Sequence, residues 1–242
     1  MLTILIAGLL GGAALLGGAP QQSAISFWTD AGTGHAQVWV MNDDGSGRKQ
    51  RTELFSAKRG DWFPDGSQLA FDGRFYDTLF DFDIGVMNAD GSGLRRITSG
   101  PERDTEASWS PDGSSIAFTR LQPGKRVPEI WVVRPDGTGL RRLTRADAGD
   151  PKWSPDGRRI AFTRYLIGNP EIYVMSSGGG GLRRLTRSRF EDLAAAWSPD
   201  GRRILYTHGP EGAHQVYVMN ADGSGKTNLS RSRTDDWATD WR

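Results

Sequence analysis

Acidic residues recur just ahead of a series of tryptophans: Asp104 and Glu106, Asp147 and Asp150, Glu191 and Asp192, Asp235 and Asp236. Carboxylates that converge can bind Ca²⁺ through oxygen or attract a basic partner segment. Two of them ~5 to 9.5 Å apart can also cleave a glycosidic bond. The plainer reading, preferred over a metal, is solvated loop acids paired with Arg103, Arg145, Arg189 and Arg233. The three histidines, His35, His208 and His214, are weak candidates for a metal site. A third chemistry is apolar recognition: Phe75, Tyr76, Leu79, Phe80 and Phe82 crowd one stretch, and aromatic residues are favoured interface anchors. That stretch has a competing use as packing over a neighbouring unit.

The elements that position these residues repeat. "WSPDGRRIAFTR" from Trp153 recurs as "WSPDGSSIAFTR" from Trp109, "WSPDGRRILYTH" from Trp197 and "WFPDGSQLAFDG" from Trp62. The tryptophans at 62, 109, 153, 197 and 241 are separated by 47, 44, 44 and 44 residues. "VWVMNDDGSG", "IGVMNADGSG", "IWVVRPDGTG", "IYVMSSGGGG" and "VYVMNADGSG" keep the same beat, followed by "LRRIT" or "LRRLT" in three units. A catalytic turn is needed once, whereas a structural turn is needed in every unit. The Ser-Pro-Asp-Gly stretch is therefore architecture: a tight turn with Pro setting φ and Gly taking the left-handed position. A period near 40–45 residues with several strands per unit is a propeller signature.

Each unit reads as four strands. The two middle ones are apolar at consecutive positions, which implies burial on both faces. The fourth carries paired arginines, suited to an outer edge. The "IAF" strand appears five times, and the Trp strand also five times, ending at Trp241. The expectation is an all-β, five-bladed propeller of four-stranded blades. Pairing of Ala238–Trp241 with Ala24–Phe27 would close it.

Residues 1–20 form an apolar head broken by five glycines, with no basic residue before it. It is expected to act as a signal peptide or N-terminal anchor, and residues 21–242 as the propeller. A net charge of +1 gives no general attraction to nucleic acid. The absence of cysteine removes disulfides and thiolate metal sites. Neither G-x-S-x-G nor a cysteine nucleophile is present. "NADGSG" begins like an EF-hand loop but lacks the spaced carboxylates and closing Glu, so it is a turn.

Repeats of the form W-S-P-D-G-x-x-I-A-F, with I-Y-V-M-N-A-D-G and R-R-L-T, resemble those of the TolB-like, WD-repeat-like propeller family. The resemblance spans nearly all of Ala24 to Trp241. It implies an extracytoplasmic, periplasmic binding scaffold of the cell envelope with a protein or peptide partner; no cofactor and a monomeric state are expected beside it. Two features depart from TolB: the α/β domain that precedes its propeller, and six blades instead of five. The same repeat occurs beside prolyl-oligopeptidase-like peptidases and in some polysaccharide lyases, so the competing function is a glycoside hydrolase or lyase using the channel-mouth carboxylates.

Strand alternation puts all the "PDG" and "DGSG" turns on one face. The loops that differ between units lie on the other, and binding residues tend to sit on such loops. That loop face holds the eleven binding candidates: Phe75, Tyr76, Phe80, Asp104, Glu106, Asp147, Asp150, Glu191, Asp192, Asp235 and Asp236.

Overall fold

The computed structural model describes residues 24–30, 35–76, 81–145, 147–166, 169–232 and 234–238. Blade one comprises β1 (Ala24–Thr29), β2 (Gln37–Asn42) and β3 (Lys49–Gln50). Blade two comprises β4 (Ser56–Trp62), β5 (Gln68–Arg74), β6 (Asp83–Asn88) and β7 (Arg95–Arg96). Blade three comprises β8 (Arg103–Trp109), β9 (Ile116–Leu121), β10 (Glu129–Val133) and β11 (Arg141–Arg142). Blade four comprises β12 (Ala148–Trp153), β13 (Arg159–Leu166), β14 (Asn169–Ser176) and β15 (Arg183–Arg184). Blade five comprises β16 (Glu191–Trp197), β17 (Arg203–Gly209), β18 (Gln215–Asn220) and β19 (Thr227–Asn228). All pairings are antiparallel between sequence neighbours, giving four four-stranded sheets and one three-stranded sheet among the described residues. The architecture is a five-bladed β-propeller with β4, β8, β12 and β16 innermost; β1, β2 and β3 match the second, third and fourth strands of the other blades.

Each repeated motif has a local cause. In the turn after β8, the Gly113 amide donates to Ser110 O at 2.9 Å and Ser110 Oγ donates to Asp112 Oδ1 at 2.6 Å. Gly113 has φ +67°, a conformation that L side chains resist. The apolar middle strands fill the seams between blades. Ala70, Ile84 and Val86 of blade two pack with Trp109, Ile116 and Phe118 of blade three. Equivalent clusters join blades three to four and four to five.

The short fourth strands are held by side chains. A Thr or Ser hydroxyl accepts the amide of a residue in the strand next to it, as Thr52 does from Val38 of β2 at 2.9 Å and Thr186 from Ile172 of β14 at 2.9 Å. The residue just before is polar and buried: Gln37, Asp83, Glu129 and Glu171. It takes the second arginine of the pair, Arg96 on Asp83 at 2.6 Å and Arg184 on Glu171 at 2.6 Å. The first arginine donates to a turn carbonyl of the next blade: Arg95 to Pro135, Arg141 to Gly178 and Arg183 to Ala221. The paired cations of blades two, three and four thus staple each of these blades to itself and to the next, a more specific task than guarding an edge.

Candidate functional site

The inner strands share a bulge three residues before the tryptophan. Pairing shifts register between Lys58 and Gly60, Thr105 and Ser108, and Gly149 and Lys152. The bulged residues Arg59, Glu106 and Asp150 have φ of 47°, 62° and 52°. A bulge leaves its amide outside the ladder, and the preceding blade supplies an acceptor. The Glu106 amide donates to Asp72 Oδ1 at 2.8 Å, and the Asp150 amide to Thr119 Oγ1 at 3.0 Å.

These residues form one network across blades two to four. Arg59 Nη1 donates to Glu106 Oε1 at 2.5 Å. Glu106 Oε2 accepts from Thr119 Oγ1 and from the Asp150 amide, both at 2.7 Å. Lys152 Nζ lies 3.8 Å from Asp150 Oδ1. Burial works against ionised Glu106, but Arg59 and the donated hydrogen bonds outweigh it and hold the carboxyl below its usual range. Asp72 is 2% exposed. Burial pushes its carboxyl up to about 7 despite Arg59. Burial also raises Asp150, and repulsion from Glu106 adds to it. Tyr165 is raised by burial and by the two nearby carboxylates.

The other acids have different surroundings. Asp104 is 0% exposed and makes a bidentate pair with Arg120, both bonds 2.7 Å, across β8 and β9. Asp192 stands two units later in the same place, where His208 replaces the arginine and lies 2.6 Å away. Burial pushes Asp192 up to about 6. Neither carboxylate is presented to solvent. The cations that meet the acids are Arg120, Arg59 and Lys152, whereas Arg103 lies over Phe82 and Arg189 over Phe190. The Asp147 carbonyl accepts the Tyr165 amide. Asp236 accepts from the Ser232 and Thr234 hydroxyls. Glu191 and Asp235 flank His214.

His35 Nδ1 lies 3.0 Å from Phe55 O, His208 faces Asp192 and His214 faces Asp235. Among the described residues, no group of three or more histidines and carboxylates is arranged to hold a metal ion.

The aromatic stretch divides. Phe75 stacks on Phe71 with centroids 6.3 Å apart, while Tyr76 is 62% exposed under Arg96. Phe80 and Leu79 lie outside the described residues. The third strand of the other blades carries an aromatic residue opposite a Phe or Tyr: Trp39, Trp131, Tyr173 and Tyr217. Blade two has Gly85 there, opposite Phe71. A Cβ on Gly85 would stand 2.6 Å from Phe71 and 2.8 Å from Phe75, so the loop phenylalanine fills the missing ring's place. Phe55, Tyr76 and Trp237 are the strongly exposed aromatic residues among those described, and all three belong to the loop face. On the turn face, a cleft of about 610 Å³ runs between blades three and four, lined by Asp112, Arg141, Trp153 and Asp156.

Several of these residues escape a sequence reading. Asp72, Thr119 and Thr207 sit at one repeat position, so the acid in a threonine slot was the visible signal for Asp72. Arg59 stands where the next two units have Glu106 and Asp150, an inversion of charge that a search for acids passes over.

Fold and repeat together define a five-bladed β-propeller. Residues 145–241 match the family model of the TolB beta propeller domain. The chain is 30% identical over 117 residues to an uncharacterized protein of Agrobacterium fabrum, covering 48% of this chain and 38% of that one. It is 39% identical over 71 residues to the Tol-Pal system protein TolB of Rhizorhabdus wittichii, covering 29% of this chain and 16% of that protein. The crystal structure of TolB from Acinetobacter baumannii superimposes with a TM-score of 0.75 at 24% identity, covering 88% of this chain and 54% of that one. The chain thus matches well under half the length of these curated relatives, and the structural likeness is one of fold.

Proposed function

We propose that the protein is a non-catalytic, extracytoplasmic scaffold that binds a protein or peptide of the cell envelope on its loop face. One observation carries this: the exposed aromatic residues Phe55, Tyr76 and Trp237 are all on that face, where an interface would find its anchors. The turn face is engaged in repeated hydrogen bonds that the fold itself requires. The TolB-type repeats support an envelope setting, with the N-terminal segment as its signal or anchor. Among the described residues no helix is long and apolar enough to cross a membrane. The reading includes a monomer, no cofactor and no nucleic acid.

Capture of partners from native envelope extract tests it. Tyr76→Ala and Phe55→Ala should each reduce a specific capture several-fold, and the turn-face change Arg141→Ala should not. Equal capture by all variants would refute the loop-face assignment.

A second reading, a glycan-cleaving enzyme, has one observation in its favour. Asp72 is pushed toward neutrality while Glu106 is held low, the separation of protonation states that acid–base pairs use. Against it, Asp72 is buried and its Oδ1 already accepts the Glu106 amide. Turnover of an oligosaccharide by purified protein, lost on Glu106→Gln, would establish the enzyme and displace the scaffold.

A further inference from the structure

Where the C-terminal segment meets blade five, three side chains gather around a buried imidazole. His214, just before β18, is 2% exposed. Its Nδ1 lies 2.8 Å from Asp235 Oδ1, which also accepts the His214 amide at 2.8 Å. A carboxylate only accepts, so Nδ1 carries the proton. Nε2 is buried, makes no hydrogen bond and faces Glu191 Oε2 at 3.6 Å. In the neutral ring these are two acceptors with no donor between them. Trp237 lies alongside, its ring centroid 4.4 Å from that of His214 and its Nε1–H donating to Asp235 Oδ2 at 3.0 Å. Trp237 is 49% exposed, and the Glu191 and Asp235 side chains are 42% and 39% exposed.

We propose that Trp237, Glu191 and Asp235 form a recognition corner for a cationic side chain, lysine or arginine, of the loop-face partner. The inference rests on the scaffold reading and names the partner's chemistry. A cation over an exposed indole is attracted by the ring's negative face. Its N–H groups are donors, and this corner presents acceptors. The Asp235 carboxyl is held below its usual range by the His214 amide and the Trp237 indole, so it stays ionised. Glu191 covers Nε2 with a solvent-exposed side chain. A small movement of that carboxylate onto the cation would bring the missing donor to both acceptors. His214 is the positioning residue: packed beneath the indole and bonded to Asp235, it fixes the platform before the ligand arrives.

The test uses the full chain and two probes, the blocked pentapeptides Gly-Gly-Arg-Gly-Gly and Gly-Gly-Lys-Gly-Gly, with the glutamine peptide as control. The indole N–H resonance of Trp237 is assigned by its loss in Trp237→Phe. It should shift saturably with both cationic peptides and not with glutamine. Glu191→Gln should weaken the response at least five-fold, and Asp235→Asn more. If Asp235→Asn does not fold, the exposed Glu191 variant decides alone. No saturable shift, an equal shift with glutamine, or an unchanged response in Glu191→Gln would overturn the corner. A resonance that moves with acid but with no peptide would make the cluster a protonation latch and also overturn it. An envelope partner captured equally by wild type and Trp237→Ala would remove the corner while leaving the loop-face scaffold intact. Peptide binding at Trp237 with capture indifferent to every loop-face change would do the reverse.

Discussion

The Ala238 amide donates to Thr207 Oγ1 at 2.8 Å. This is the bond that the Asp150 amide makes to Thr119, and Ala238 stands three residues before Trp241 as Asp150 stands three before Trp153. Ala238 therefore occupies the bulge position of an inner strand, packed against blade five from the blade-one side. Residues 239–241, which would complete the pairing with β1, lie outside the described residues.

Removing the acceptor tests this closure. Thr207 is 0% exposed, so Thr207→Val leaves a buried amide without a partner, a cost of about 1–3 kcal/mol. Deleting residues 234–242 should cost more, since the Asp235–His214 contacts are lost as well. Urea denaturation midpoints should fall in that order. An unchanged midpoint for the truncation would show that the C-terminal segment closes nothing.

Asp104 should behave as a structural residue. With Arg120 only 5% exposed, Asp104→Ala strands a buried guanidinium and should destabilise the fold by about 3–5 kcal/mol. Replacing both, as in Asp104→Ala with Arg120→Leu, should recover much of the loss. The salt dependence of partner association should not change in whatever fraction remains folded. Stopped-flow association rates at two ionic strengths, alongside thermal melts, separate the two roles.

Two turn glycines allow backbone strain to be separated from crowding. Gly157 and Gly113 have nearly the same φ, +69° and +67°. A Cβ on Gly157 meets only Pro111 at 3.8 Å, whereas one on Gly113 runs into the Phe63 ring of the preceding blade. Gly157→Ala should cost about 1–2 kcal/mol, the left-handed penalty alone. Gly113→Ala should cost visibly more in the same denaturation assay. Equal losses would mean that Phe63 yields freely.

The repeat made the fold legible because every unit must solve the same problem: the turns, the doubly buried middle strands and the blade number follow from what recurs. The site was less legible because it depends on deviations and on partners in the next blade. Asp104 and Asp150 look alike in sequence, two acids ahead of a tryptophan. One lies in a regular strand opposite Arg120, the other at a bulge beside Glu106, and only the register distinguishes them. Gly85 could have been noticed as the missing aromatic, yet Phe75, ten residues earlier in a variable loop, gives no sign that it supplies the ring. Trp237 is equally hard to read from sequence. It belongs to no repeated tryptophan position, and its environment is made by His214 and Asp235 after the chain has come round the ring.

The titration of Asp72 gives the fold a pH signature. An exposed aspartate loses its proton near 3.8, while burial raises this one to about 7. Between about pH 4 and pH 7 the native state therefore holds a proton that the unfolded chain has released. The contribution of this group is fully present below about pH 4, declines as the pH rises to about 7 and is flat above. A difference of about 3 units at ~1.4 kcal/mol each sets a ceiling of about 4 kcal/mol. The side-chain amide introduced by Asp72→Asn keeps an acceptor for the Glu106 amide and cannot ionise. The variant should match wild type near pH 4 and be the more stable protein at pH 8. Chemical denaturation of both proteins at pH 4.5, 6 and 8 measures the divergence. A gap that is constant across the series, or that opens toward acid, would place the raised carboxyl elsewhere than on Asp72.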